Sequence, residues 1–341
     1  MIKKLYIHDI ESDRISWENL LKEANLRIEQ SIEEVFGLFD QNRLVATASR
    51  YHNIIKCVAV AADVQGGSYF NELISHLMNR NFEKGYSKHY VYTKPESQTA
   101  FEFLGFQRIE AIDSHLVFME RAINGFPAYL EHLKNQRVNA QSIAAIVMDA
   151  NPFTLGHQFL IQTAAARHDH VFIFVLSEDQ SVFPADVRKQ LVIAGTQHLE
   201  HVTVLSTDNY MVSHATFPSY FLNENTDVTS IQARLDARVF AYHIAPVLNI
   251  TTRYVGEEPF SQATQLYNEA MKKEFAGHLN LEIIPRKTVN EHIISATTVR
   301  QYLATDQLGQ VAEFVPQTTY NWLLTDDGQA VIQRIKEQTH G

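Results

Sequence analysis

Thr154-Leu155-Gly156-His157 places a hydroxyl, a residue without a side chain and an imidazole within one turn of a helix start. The four residues follow a loop, Asp149-Ala150-Asn151-Pro152-Phe153, and lead into FLIQTAAARH, whose apolar residues and alanines have helical spacing. Ahead of the loop, Ile143 to Met148 is an uninterrupted apolar run, the pattern of a strand covered on both faces of a parallel sheet. The predicted layout is strand, tight loop, helix N-terminus. Such a place offers unpaired backbone N–H groups and the positive end of a helix dipole, both suited to phosphate. A histidine there can donate to a phosphoryl oxygen.

Alone the first motif is weak, because the chain has 16 histidines and a lone histidine at a helix start is more often a solvated cap than a catalyst. A second motif strengthens it. Ile294-Ser295-Ala296-Thr297-Thr298-Val299-Arg300 places hydroxyls at another helix N-terminus, with Arg300 further along the first turns. In a doubly wound sheet both helix starts can face one crevice beyond the strand ends. Together they supply dipole ends, hydroxyls, a guanidinium and an imidazole, a set suited to a polyphosphate.

These motifs need a frame that brings them together, and the second half of the chain alternates accordingly. Apolar runs at 143–148, 171–177, 202–206, 253–256 and 281–285 alternate with helical patterns, the longest spanning 229–248. That order predicts a doubly wound parallel sheet. The first half differs. A helix over 12–25, with Ile15, Leu20, Leu21 and Ala24 inward, precedes three strand-like runs at 32–40, 43–51 and 54–62 that read as an antiparallel meander. A loop, Gln65-Gly66-Gly67-Ser68, leads to a helix from Tyr69 to Lys84, then a strand, a short helix and a closing hairpin. The expected division is residues 1–121, a connecting helix and linker over 122–142, and 143–341.

Composition describes an ordinary globular protein, with 45% hydrophobic and 20% charged residues. A net charge of -10 argues against nonspecific binding to nucleic acid or to an anionic membrane, while leaving room for an anionic substrate in a local basic pocket. No apolar run has the length of a membrane span and no signal-peptide pattern follows Met1, so a cytoplasmic location is expected. The one cysteine, Cys57, lies in a strand-like run and reads as a small core residue. Any thiol in the chemistry then comes from a substrate or partner.

The order of elements over residues 1–121 resembles the GNAT-like acetyltransferase fold. In that family the loop before the long helix has small residues that let N–H groups approach the CoA pyrophosphate. Here Ser68 and Phe70 stand in that stretch, which argues for a scaffold or docking role over acetyl-CoA binding. The motif pair resembles the signature of the HxGH nucleotidyltransferase superfamily, with Thr154 where the first histidine stands. Taken with SHATFPSYFL (213–222) and TRYVGEEPF (252–260), the pair resembles the citrate lyase ligase family, and the likeness covers almost the whole chain.

That resemblance implies ATP, carrying Mg²⁺ on its phosphates with no protein ligand cage, and acetate. The implied partner is the citrate lyase acyl carrier subunit, whose phosphoribosyl-dephospho-CoA thiol is acetylated through acetyl-AMP with release of AMP and pyrophosphate. It implies His157 as the α-phosphoryl donor beside the backbone of Phe153 to Gly156, Thr154 as a hydroxyl donor in place of the missing histidine, and Ser295, Thr297 and Arg300 on the β and γ phosphates. Asn151, with Pro152, holds the nucleotide or only the turn. Arg188 reaches phosphate or lies exposed on its helix; Gly256-Glu257-Glu258 accept from ribose or adenine or form a solvated loop. The run Ser213 to Tyr220 is a lid or acceptor surface, or an ordinary surface loop. Two other functions stay open: an adenylyltransferase acting on a pantetheine- or nicotinamide-mononucleotide-type precursor, and a partner-binding protein with a vestigial nucleotide site.

Overall fold

A computed structural model describes residues 1–177, 181–211, 217–222, 227–257, 262–289 and 292–340. They form two compact units, Met1–Glu131 with Thr216–Leu235, and His132–Ala215 with Asp236–Gly341. Among the described residues no helix is long and apolar enough to cross a membrane.

The first unit is a seven-stranded sheet in the order β1-β2-β3-β4-β5-β7-β6. Its strands are β1 (Ile2–Leu5), β2 (Glu34–Asp40), β3 (Arg43–Tyr51), β4 (Ile54–Val60), β5 (Lys88–Thr93), β6 (Gln107–Ile112) and β7 (Leu116–Ala122). The meander β2-β3-β4 is antiparallel, as its alternating pattern predicts. The short β1, with the burial pattern of an edge strand, carries too few residues to announce itself. Helix α1 (Glu11–Glu23) buries Trp17, Leu20 and Leu21 but leaves Ile15 exposed, so its inward face is rotated from the one expected. Helix α2 (Tyr69–Glu83) seats Leu73, Ile74, Leu77 and Met78 in the core, and α3 (Gln98–Phe103) adds Phe101.

β4 and β5 are parallel and pair only at Ile54/Tyr90 and Ile55/Val91. In this unit is a cavity of about 460 Å³, lined by Val60, Gly67, Phe70, Tyr92, Tyr220 and Phe221 among others. Phe70 packs edge-on against Phe101, centroids 5.0 Å apart, so its bulk is absorbed by the wall. Cys57 is fully buried, and burial raises its thiol to about 12, which keeps it protonated and inert as expected.

Residues 217–222 correct the reading of Ser213 to Tyr220 as a surface loop where they are described. Phe217, Tyr220 and Phe221 are buried in the first unit, Phe217 against the Tyr92 ring at 5.6 Å, and the Tyr220 carbonyl accepts from the Arg27 amide at 2.8 Å. Residues 212–216 of that run lie outside the described residues. The half expected to run unbroken from 143 to 341 therefore lends 216–235 to the other unit.

The second unit has a five-stranded sheet, β10-β9-β8-β11-β12, with every neighbouring pair parallel. Its strands are β8 (Ile143–Met148), β9 (His170–Val175), β10 (Val202–Ser206), β11 (Thr252–Gly256) and β12 (Asn280–Ile284). The chain winds from β8 out to β10 and returns on the other side of β8 at β11, so the switch point lies between β8 and β11. Helices α5 (Leu155–Ala165), α6 (Ala185–Thr196) and α9 (Gln262–Phe275) fall between the strands, while α7 (Val228–Arg238) begins in the 216–235 segment of the first unit and ends in the second. The helix expected over 229–248 is interrupted: α7 passes into a π-helical stretch, Val239–Ile244, and a last turn, α8 (Ala245–Val247). Pro246 has no N–H to continue the regular ladder. A hairpin, β13 (Thr288–Val289) with β14 (His292–Ile293), delivers the chain to α10 (Ala296–Ala304), and α11 (Leu308–Val311), α12 (Gln317–Leu323) and α13 (Asp326–His340) complete the unit. The sequence boundary at Glu131/His132 falls within α4 (Phe126–Lys134).

A charge network anchors β2 to its neighbours in the first unit. The Glu34 carboxylate is met by Lys4 at 3.1 Å, by Arg50 at 3.2 Å and by Arg80 through two bonds of 3.0 and 2.8 Å. Arg80 above all holds it down to about 2, against the opposing cost of burial. A depressed carboxylate contributes stability above its unfolded pKa and loses it as pH falls through the folded one. Glu34→Gln should therefore cost about 2–3 kcal/mol at pH 7. In chemical denaturation across pH, the gap between wild type and variant should close between about pH 4.5 and pH 2.

Candidate nucleotide site

The loop after β8 is shaped by its own backbone: Ala150 has φ 53° and the Asn151–Pro152 bond is cis. Thr154 then takes the N-cap of α5 with an extended backbone, and its hydroxyl accepts from the His157 amide at 3.4 Å. His157 returns the contact, its ring Nδ1 accepting from the Thr154 amide at 3.1 Å and lying 3.0 Å from the Thr154 hydroxyl. This is a capping box with a histidine in the place usually held by Glu or Gln. It decides the tautomer. A main-chain amide can only donate, so Nδ1 is the acceptor and the ring proton sits on Nε2.

The imidazole is partly buried and lies parallel to the Phe153 ring, centroids 5.9 Å and planes 12° apart. Phe153 is fully buried, and it lies where a side chain at Gly195 of α6 would have to go. Removal from water, and secondarily the positive charge of Arg286, lower His157 to about 4. The ring is therefore neutral at pH 7, a donor through Nε2 rather than a cation.

The second helix start abuts the first. A Cβ at Gly156 would stand 3.3 Å from the Ile294 carbonyl, so glycine permits this approach. Ser295 caps α10, its hydroxyl accepting from the Thr298 amide at 3.0 Å. From the next turn Arg300 reaches back, Nη1 to the Asn151 carbonyl at 2.5 Å and Nη2 to the Thr297 hydroxyl at 3.2 Å. The guanidinium thus ties the α10 start to the loop before α5. On the far side of the switch point, Gly256 ends β11 beside Ile284, and a Cβ there would meet nothing within 4 Å among the described residues. Glu257 donates its amide to the Ile284 carbonyl at 2.8 Å. Glu258 lies outside the described residues.

Thr154, Gly156, His157, Ser295, Thr297 and Arg300 thus converge. Asn151 is buried with its side-chain carbonyl accepting from the Phe183 amide at 3.2 Å, which holds the turn, and Pro152 is buried beside it. Arg188 corrects both of its expected places. It is fully buried, donating to the Asp149 carbonyl at 2.8 Å, the Asp149 carboxylate at 2.6 Å and the Phe183 carbonyl at 3.0 Å. Its position between Val187 and Lys189 on a helix gave no sign of this, because the carboxylate and one of the carbonyls it meets belong to Asp149, 39 residues earlier. Arg286, just beyond β12, went unnoticed because no motif surrounds it. Its Nε donates to the Glu257 carbonyl at 2.7 Å, and its charge reaches His157.

The arrangement holds neutral donors, two helix N-termini and two guanidinium groups at the carboxyl ends of parallel strands, which suits a phosphate chain. Residues 143–323 match the family described as the citrate lyase ligase C-terminal domain. The chain is 36% identical over 313 residues to the [citrate [pro-3S]-lyase] ligase of Haemophilus influenzae, covering 90% of this chain and 93% of that one. Among solved structures it is similar to Thermotoga maritima TmcAL bound with alpha-thio ATP, at 14% identity and TM-score 0.37 over 56% of this chain and 57% of that one. It is also similar to the ribosomal-protein-alanine N-acetyltransferase of Brucella melitensis, at 14% identity and TM-score 0.28 over 36% of this chain and 99% of that one.

The geometry of His157 sets a titration. Nitrogen NMR of the labelled protein should show the Nε2–H tautomer from pH 8 down to pH 5, with protonation centred at about 4 instead of 6.5. Between those two values the unfolded chain takes up a proton that the folded chain does not, so this residue's contribution to stability declines as pH falls through that window.

Proposed function

The chain belongs to the citrate lyase ligase family, and from that premise we propose that it activates citrate lyase by joining acetate to the prosthetic-group thiol of the lyase's acyl carrier subunit at the expense of ATP. An acetate oxygen attacks the α-phosphorus, the bond to the bridging oxygen breaks, and pyrophosphate leaves. The thiolate on the carrier then attacks the acetyl carbon of acetyl-AMP and expels AMP, its proton having gone to solvent. The protein aligns the reactants and answers the charge that builds on phosphoryl oxygens.

The observation that carries this reading is the hydrogen bond from the Thr154 amide to His157 Nδ1, which leaves the ring proton to Nε2. A neutral imidazole held by the Thr154 amide is a fixed donor that needs no reorganisation as charge develops at the α-phosphoryl group. Ser295, Thr297 and Arg300 serve the β and γ phosphates from the α10 start, with Thr154 contributing its hydroxyl dipole at the first helix. Arg188 and Asn151 act from behind by holding the 149–153 loop. Mg²⁺ fits as a rider on the polyphosphate: Asp149, with a half-exposed carboxylate whose charge partly offsets the lowering of the Arg300 pKa by burial, is the acidic group of the loop that can face the ion's water shell. When bound there the ion would neutralise phosphate charge.

ATP–pyrophosphate exchange tests the reaction. Exchange should require acetate, and His157→Ala should lower it by about 10²- to 10³-fold while the circular dichroism spectrum is kept. Exchange that ignores acetate but needs a phosphorylated cofactor precursor would instead identify an adenylyltransferase, and wild-type rates in His157→Ala would remove the histidine from its role. Gly256 offers a separate check. Its missing side chain touches no atom of the described residues, so Gly256→Val should leave the unfolding midpoint unchanged. If nucleotide occupies that space, ATP affinity should nevertheless fall about tenfold by calorimetry.

A further inference from the structure

We propose that Arg286 is a catalytic residue: paired with His157, it supplies the full positive charge that the α-phosphoryl group of ATP requires during adenylate formation. This rests on the adenylating reading of the crevice given above. The need for it follows from the donors already placed. His157 is neutral and Thr154, almost wholly buried, is engaged in the capping box, so the first helix start offers only partial charges. Arg300 is turned to the Asn151 carbonyl and Thr297. In-line displacement at phosphorus spreads negative charge over the equatorial oxygens, and neutral donors alone answer it poorly.

Arg286 is held where that charge would develop. It stands two residues past Ile284, the end of β12, and its Nε is fixed on the Glu257 carbonyl at the end of β11, the strand that borders the switch point. The segment it opens touches the first turns of α5 twice. The Lys287 ammonium lies 5.8 Å from the Phe159 ring centroid, and the Lys287 carbonyl accepts at 3.1 Å from Ile294, whose own carbonyl abuts Gly156. His157 lies between those contacts in sequence. Its titration registers the Arg286 charge as the cause next after burial. A guanidinium, always charged and able to face two oxygens at once, suits this place better than an ammonium.

Arg286→Met, Arg286→Lys and Arg286→Ala, made in the full-length chain, test this by acetate-dependent exchange, ATP calorimetry and thermal unfolding. The expected result is a loss of about 10²- to 10³-fold in the exchange rate for Met, a smaller loss for Lys, and cooperative unfolding kept in every variant. Millimolar guanidinium should restore the Ala variant at least about tenfold and leave wild type unaffected, a response that a packing role would not produce. Exchange in Arg286→Met within about threefold of wild type would overturn the assignment, as would a loss that guanidinium does not restore. Should the wild-type protein itself lack acetate-dependent exchange, the adenylating reading fails on its own. Arg286 is then judged by ATP affinity, and an unchanged dissociation constant in Arg286→Met removes it from the phosphates.

Discussion

The second unit's site depends on the reciprocal hydrogen bonding of Thr154 and His157. One pair of contacts ends the orphan state of the first amides of α5, fixes the imidazole's orientation and selects its tautomer. The rest of the crevice is built to keep that pair in place. Phe153 backs the ring and is itself lodged where only a glycine at 195 leaves room; Arg188 and Arg300 clamp the loop from inside and from α10. Threonine at 154 suits this scheme because its hydroxyl is both the cap and a neighbour of Nδ1.

The first unit follows a different logic. Its sheet is sewn by charges as well as apolar contacts, with Glu34 gathering Lys4, Arg50 and Arg80 from β1, β3 and α2. A nearly buried arginine is tolerable there because its donors meet a carboxylate, the Asn81 side chain at 2.6 Å and the His52 carbonyl at 2.6 Å. Phe70, which departs from the small residues of the GNAT-like loop, forms cavity wall instead of closing the space. The 217–222 stretch contributes three aromatic side chains to this unit from far along the chain, so the unit is complete only after the chain has begun the parallel sheet.

How much was legible depended on the range of the interactions that decide each feature. β8, α5 and the meander are local patterns, and their residues announce period and punctuation within a dozen positions. Ile15 and Trp17 exchange places on α1 because both faces of that helix carry apolar residues and only the sheet decides which is covered. The break in the 229–248 helix follows Pro246, a local signal outweighed in reading by the helical spacing around it. The hairpin before α10 and helices α11 to α13 were missed because short strands and polar, loosely periodic helices give little signal.

The sequence by itself determined that a strand, a turn and a helix start would present Thr154, Gly156 and His157 together, and that Ser295 and Arg300 would share a second helix start. Spacing within a turn of helix is a property of the backbone and needs no partner. Tertiary structure alone decided that Arg188 is a buried clamp and that the charge of Arg286 bears on the His157 imidazole. Each of those depends on groups tens to more than a hundred residues apart, brought together by the winding of the sheet, and on the loss of water that charge and protonation respond to.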